Sequence, residues 1–254
     1  MRLQLFRNAT LKLEYGGATI LIDPYLAPQF SLPSFTGRSK NPTVELPTTK
    51  AEILSDVELV VVSHLHTDHF DGVAKELLPK DVPLLCQPGD EAEIGKAGFT
   101  NVTPLVGPIV WRGIRFTRRE GSHGLGPVVG KMGPVIGLVI EAEGEPTIYW
   151  AGDTVLYPPV AAAIREVQPD VIVTHSCGAR WDGDLIVMDA AQTVEVCRIA
   201  PAKAVLVATH MEALDHATVD RAALRDAATA AGVSADRLRI PADGEMISLS
   251  RRAG

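Results

Sequence analysis

The 254-residue chain is long enough to bury a substantial core, and its 46% hydrophobic, 22% charged and 5% aromatic make-up excludes a disordered or fibrous protein. A formal charge of -7 leaves no global basic field to gather phosphates, which argues against a nucleic-acid partner. The three cysteines, Cys86, Cys177 and Cys197, are irregularly spaced without a CxxC pair, and no signal-peptide or membrane-spanning apolar run is present, so the expected protein is reduced, cytoplasmic and without a membrane span.

Taken in order, Leu11 to Tyr15 and Ala18 to Ile22 flank Gly16-Gly17 and predict a hairpin that delivers Asp23 to its end. Residues 24 to 50, broken by five prolines, predict a long functional loop with Phe30 and Phe35 as apolar anchors. Val57 to Val62 reads as a buried strand, Gly72 to Leu78 as a short helix, Val82 to Leu85 as a second buried strand and Asp90 to Ala97 as a helix. Val110 to Arg118 reads as extended, and Gly121 to Gly133 as a loop whose five glycines let it approach a ligand.

Strands at Val135 to Glu141 and Thr147 to Ala151 are expected to pair across Gly144, ending at Gly152-Asp153. Helix Val160 to Val167, strand Val171 to Thr174, helix Asp189 to Ile199, strand Ala204 to Thr209 and helix Val219 to Ala231 follow, with closing strands near Leu238 and Met246. No linker or low-complexity tract divides the chain, which predicts a single domain over 1–254. ELVVVSH, DVIVTH and AVLVATH each end an apolar strand in histidine, at His64, His175 and His210, and so offer three imidazoles to one sheet edge.

The chemistry concentrates in His64-Leu65-His66-Thr67-Asp68-His69, where three of the seven histidines and an aspartate fall within six positions. In an extended segment alternate side chains share a face, so His64 and His66 reach one ion while the following turn aims Asp68 and His69 at another. Imidazole and carboxylate donors suit zinc, manganese or iron. Four residues leave two ions incompletely coordinated, and His123, Asp153 and His210 are the candidates for the remaining positions.

With Asp23 after a strand, the HxHxDH segment, His123, Asp153 in AGDT and His210 in ATHM, the chain resembles the metallo-β-lactamase superfamily of metal-dependent hydrolases. The resemblance implies an α+β fold, a four-layer αββα sandwich with the metal centre at one edge of its two sheets. It implies His64, His66 and His123 on one metal, Asp68, His69 and His210 on the other, Asp153 between them, and Asp23 orienting ligands rather than binding metal. Aspartate at 153, where the antibiotic-hydrolysing zinc branch has cysteine, disfavours β-lactam cleavage. The closing IPADGEMISL segment is similar to the subgroup containing ascorbate-6-phosphate lactonase and N-acyl phospholipid hydrolases.

The expected cofactors are two divalent metal ions, zinc first, which make water acidic enough to furnish hydroxide near neutral pH. Asp68 or Asp153 would manage its proton, and His175 is a guess for protonating the leaving group. The expected substrate is a small ester, lactone or phosphoester; a nuclease, an iron-dependent redox enzyme and a non-catalytic metal-binding module are the alternatives, and a homo-oligomer is expected only by resemblance. His175 in THSC and the HMEALDH segment ending in His216 have no role the resemblance supplies, so they are candidates for setting specificity against the blander readings of a strand-end and a helix-start histidine. Trp181 and Met188 read as core or cleft residues, and Cys177 as a small buried one.

Overall fold

In the computed structural model, which describes residues 1–251, the chain opens with a strand that sequence periodicity did not reveal. β1 (Arg2–Arg7) points Leu3 and Leu5 into the core between charged and polar neighbours, then pairs antiparallel with β2 (Thr10–Tyr15). β2 runs antiparallel to β3 (Ala18–Ile22) through the Gly16-Gly17 turn, as its turn chemistry predicts. β4 (Leu59–Val62), β5 (Leu84–Cys86) and β6 (Val102–Pro104) then add in parallel.

The second half builds another sheet. The stretch expected as one extended segment is a hairpin of β7 (Ile109–Trp111) and β8 (Ile114–Glu120), turned at Arg112-Gly113, where both residues have positive φ. β9 (Ile136–Glu141) and β10 (Ile148–Trp150) pair antiparallel as predicted. β11 (Val171–His175) joins β10 in parallel; a small hairpin of β12 (Arg180–Trp181) and β13 (Asp184–Leu185) stands apart. β14 (Val205–Thr209) and β15 (Leu238–Arg239) extend the second sheet, and β16 (Met246–Ser248) returns to pair with β1. The result is two seven-stranded sheets, ordered β16-β1-β2-β3-β4-β5-β6 and β15-β14-β11-β10-β9-β8-β7.

Alternation along the strands makes the layers. Ile20, Ile22 and Val61 of the first sheet meet Leu138, Trp150 and Val173 of the second in one core. The neighbours that point outward, Leu21, Val60 and Val62, pack under α1 (Lys50–Leu54), α2 (Gly72–Leu77) and α3 (Glu91–Lys96) through Ile53, Ala74 and Ile94. Because β4 is covered on both faces, its run of Leu and three valines is apolar without alternation. On the other side, after a short α4 (Val129–Met132) in the glycine-rich loop, α5 (Pro158–Val167), α6 (Ala190–Ile199) and α7 (Arg221–Ala230) cover Tyr149, Ile172 and Leu206. The four layers are therefore helix, sheet, sheet, helix.

Local chemistry sets the helix starts. Thr49 and Glu52 form a capping box on α1, while the Asp71, Asp189 and Asp220 carboxylates accept from the first turns of α2, α6 and α7. No helix of the described residues is long and apolar enough to cross a membrane. The three strand-end histidines do not share one sheet edge: His64 follows β4 of the first sheet, whereas His175 ends β11 and His210 follows the neighbouring β14 of the second. They converge because the two sheets end at the same side of the sandwich.

Candidate metal centre

Six of the seven histidines gather at that edge. The ligand atoms of His64, His66 and His123 lie within 4.8 Å of one another, and so do those of His69, Asp153, His175 and His210. Asp153 joins the two groups: its Oδ2 is 3.4 Å from His123 Nε2 and 3.2 Å from His69 Nε2, while Oδ1 is 3.5 Å from His210 Nε2. Asp68 Oδ2 lies 3.2 Å from His210 Nε2 and 3.4 Å from His69 Nε2. Asp153 reaches this place because Gly152 turns the chain at φ 69°; a Cβ there would meet the Ile136 carbonyl at 2.7 Å. Asn8, Asp23 and His210, which contact one another or the cluster, also adopt positive φ.

In every ring of the cluster but that of His66, one nitrogen is already committed. His69 donates from Nδ1 to Asp23 at 2.8 Å, and Asp23 also accepts from the Ser63 amide and hydroxyl. The Ser63 hydroxyl in turn meets His64 Nδ1 at 2.9 Å, His123 Nδ1 donates to the Ile186 carbonyl at 2.8 Å, and His210 Nδ1 meets Cys177 Sγ at 3.4 Å. These contacts turn the Nε2 atoms toward one another, the arrangement in which imidazoles ligate a cation. His64 Nε2 is buried with no hydrogen-bond partner, and His69 and His210 bring their Nε2 atoms to 3.1 Å. At that separation the two ring nitrogens either share one proton or hold a cation between them.

The electrostatics state the same demand. Burial pushes His64, His123 and His175 below the ordinary imidazole range, His175 to about 4. Burial opposes charge on His69 and His210 too, yet Asp153, aided at His69 by Asp68 and Asp23, draws His69 up to about 10 and His210 well above its ordinary value. Against their own burial, Asp68 and Asp153 stay well below the carboxylate range beside these rings. Two buried carboxylates thus require cationic partners, and divalent ions held by neutral imidazoles meet that requirement. The donor set fits the metal ions expected from the sequence.

Above the cluster opens a cleft of about 540 Å³ whose lining includes His66, Asp68, His123 and Asp153. Phe35, Leu65, Met132, Trp181 and Ile186 make its walls apolar. The strap at 24–50, without regular structure until α1, crosses one side. Buried Arg7 donates to the carbonyls of Tyr25 and Ala27, Asp71 accepts from the amides of Leu26 and Ala27, and Asp215 accepts from Ser34, Phe35, Thr36 and Asn41.

His175 is fully buried and lies outside the cleft lining, bonded through Nδ1 to Asp153 Oδ1 at 2.6 Å. In that position its Nδ1 is committed to Asp153, and the ring does not face the cleft in which it was expected to protonate a leaving group. Met188 is likewise sealed in the helix-side core, whereas Trp181 lines the cleft. Sequence reasoning missed Asn8, whose Nδ2 donates to the Asp68 carbonyl at 3.0 Å and lies 3.2 Å from His210 Nε2, because a lone asparagine in a turn carries no signal. Cys177, read as a small buried residue, is buried, and its thiol also meets His210 Nδ1, a contact the sequence did not signal.

Sheets closed face to face over one core, with imidazoles and carboxylates converging beneath an apolar cleft, make a metal-binding site open to a substrate, and the relatives of this chain make it that of a metal-dependent hydrolase. Residues 18–211 match the Beta-lactamase superfamily domain, and the chain belongs to that superfamily. It is 37% identical to the Bacillus subtilis protein YddR of the UPF0173 group over 96% of this chain and 98% of that one. A possible metal-dependent hydrolase from Veillonella parvula superposes with a TM-score of 0.94 at 32% identity, covering 98% of this chain and 99% of its own. An isothiocyanate hydrolase from Delia radicum gut bacteria gives 0.91 at 33% identity over 99% and 100%.

Proposed function

We propose that this chain is a dinuclear enzyme that hydrolyses small, neutral substrates at an electrophilic carbon, with esters and lactones as the leading class. The observation that carries this reading is the composition of the cleft: apolar walls stand directly over the metal-binding cluster. Among the described residues, Lys131 is the one cationic side chain in that lining, and Asp182 is its ion-pair partner at 2.6 Å. A phosphate would find no cradle of donors there, so phosphoesters and nucleic acids drop behind carbon electrophiles.

Under this reading His64, His66 and His123 hold one ion and Asp68, His69 and His210 the other, with Asp153 between them and His175 fixing Asp153. Bound divalent ions, zinc first with manganese or iron as alternatives, supply acidified water and polarise the substrate's double bond. Asp68, buried but lining the cleft, accepts the proton released as water attacks. Phe35, Trp181 and Met132 hold the apolar portion of the substrate and exclude bulk water.

A second reading is favoured by the full-length similarity to an isothiocyanate hydrolase. An isothiocyanate is small, uncharged and electrophilic at its central carbon. Water adds its oxygen to that carbon and its protons to nitrogen; cleavage of the carbon–nitrogen bond then gives an amine and carbonyl sulfide. The same walls suit its apolar substituent.

One experiment tests both. Metal content of gently purified protein is measured together with turnover of aryl esters, lactones, phosphodiesters and benzyl isothiocyanate, before and after chelation. Near two metal ions per chain, with chelator-sensitive and metal-restorable hydrolysis of a carbon electrophile, is the expected result. Exclusive phosphodiester turnover, or full metal occupancy with no turnover of any carbon electrophile, would overturn the proposal.

A further inference from the structure

We propose that His216 hydrogen-bonds the leaving heteroatom of the substrate, a role that rests on the reading of the cleft as a hydrolase site. His216 is the one histidine outside the cluster, 8% exposed, and it lines the cleft together with Asp68 and Asp153. Its Nδ1 is buried without a partner, and among the described residues nothing hydrogen-bonds either ring nitrogen. His64 and His175 also leave a buried Nε2 unpartnered, but each has its Nδ1 bonded, whereas at His216 neither ring nitrogen is bonded. A buried polar ring in that state has a functional explanation when a ligand group completes it.

Its orientation is imposed from two sides. The Phe35 ring stands edge-on at 4.9 Å between centroids, and the His216 carbonyl accepts from the Arg180 amide at 3.3 Å. The preceding residue, Asp215, anchors the strap that carries Phe35 through hydrogen bonds from Ser34, Thr36 and Asn41. The ring is therefore held in the cleft lining against Phe35, beside rather than within the metal cluster.

Burial pushes the His216 imidazole below its ordinary range, which favours the neutral ring. A neutral imidazole serves as a hydrogen-bond donor to charge building on an oxygen or nitrogen without becoming an acid in its own right. In ester hydrolysis the water oxygen bonds to the acyl carbon, the carbon–oxygen bond to the alcohol breaks, and the departing oxygen takes the proton that water released. His216 stabilises that oxygen while the bond breaks and ends the cycle unchanged. In the isothiocyanate reading it meets the nitrogen.

The test compares a 4-nitrophenyl and an ethyl ester of the same acid in the metal-loaded protein, wild type and His216→Phe, a change that keeps the packing against Phe35 but removes the donor. The poor leaving group should lose at least about tenfold more rate than the good one, with metal content unchanged and His216→Gln restoring part of the difference. Equal losses on both esters would overturn the assignment and make His216 a packing residue. If wild type hydrolyses neither ester, the functional reading fails, and His216 is then decided by a second measurement: the ¹⁵N resonances of its ring in zinc-loaded protein titrated with benzohydroxamate. A shifted ring-nitrogen resonance supports the proposal, and both nitrogens unshifted at saturating ligand overturns it.

Discussion

Beneath the cleft, Asp23, Ser63, His69, Asp153 and His175 are locked together across the ends of both sheets by contacts of 2.6 to 3.2 Å; beside it, Phe35, Met132 and Trp181 stand on a strap, a short helix and a two-residue strand. The floor is held by strands whose registers are fixed over the shared core, so a ligand atom there has little freedom. The wall is held by hydrogen bonds local to loops, above all those converging on Asp215. Substitutions below should therefore abolish chemistry, while those at the side should change which molecules are processed.

The largest effect is expected from Asp153→Ala, which removes the carboxylate that lies between the two candidate ligand groups: turnover should fall on the order of a thousandfold or more, with metal lost in elemental analysis. Retention of both metal and rate would erase the distinction between floor and wall. Asp23→Ala removes only the acceptor behind His69, and a loss of about 10- to 100-fold in metal affinity or rate is expected by titration against a chelator.

Wall substitutions sharpen the contrast. Trp181→Ala should raise KM for aryl substrates on the order of tenfold while kcat on a small acetyl ester stays within a few-fold, because an apolar wall supplies binding rather than bond-making. Metal should matter to stability as well as rate: at a hundredfold excess over Kd it raises Tm by about 5 °C or more in wild type, and scanning calorimetry of Asp153→Ala should show most of that increment gone.

The smallest effect concerns acid stability. Burial would raise the Asp215 carboxyl, but hydrogen bonds from Ser34, Thr36, Phe35 and Asn41 outweigh it and hold the group well below the ordinary carboxylate range. A carboxyl with a lower pKa folded than unfolded stabilises the fold above its unfolded value, near about 3.9, and this contribution disappears as pH falls through and below it. Asp215→Asn should therefore flatten the acid limb of a stability-against-pH curve below pH 5; an unchanged limb would show that the strap is anchored elsewhere.

Much of the floor was legible because metal ligation needs particular side chains at particular spacings. His64, His66, Asp68 and His69 lie in one short run, and their order with His123, Asp153 and His210 led to the superfamily to which the chain belongs. The apolar strands β4, β11 and β14 were equally plain, since strands buried on both faces spell continuous hydrophobic runs. β1 was not, because its RLQLFR alternates polar and apolar residues over too short a span, and β6 hides in a segment ending in proline.

By itself, the amino-acid order determined the elements whose signal is local: the Gly16-Gly17 hairpin, the valine-rich strands and the dense histidine segment. Only the tertiary structure decided that β4 and β14 lie in different sheets whose ends meet, that His175 is bonded to Asp153, and that Asn8 reaches His210 across 202 positions. It also decided that Phe35, Trp181 and His216 share one wall. The physical reason is that a strand's pattern records which face is buried but not its partner, and loop side chains carry no period at all, so their meeting depends on the packing of the whole sandwich.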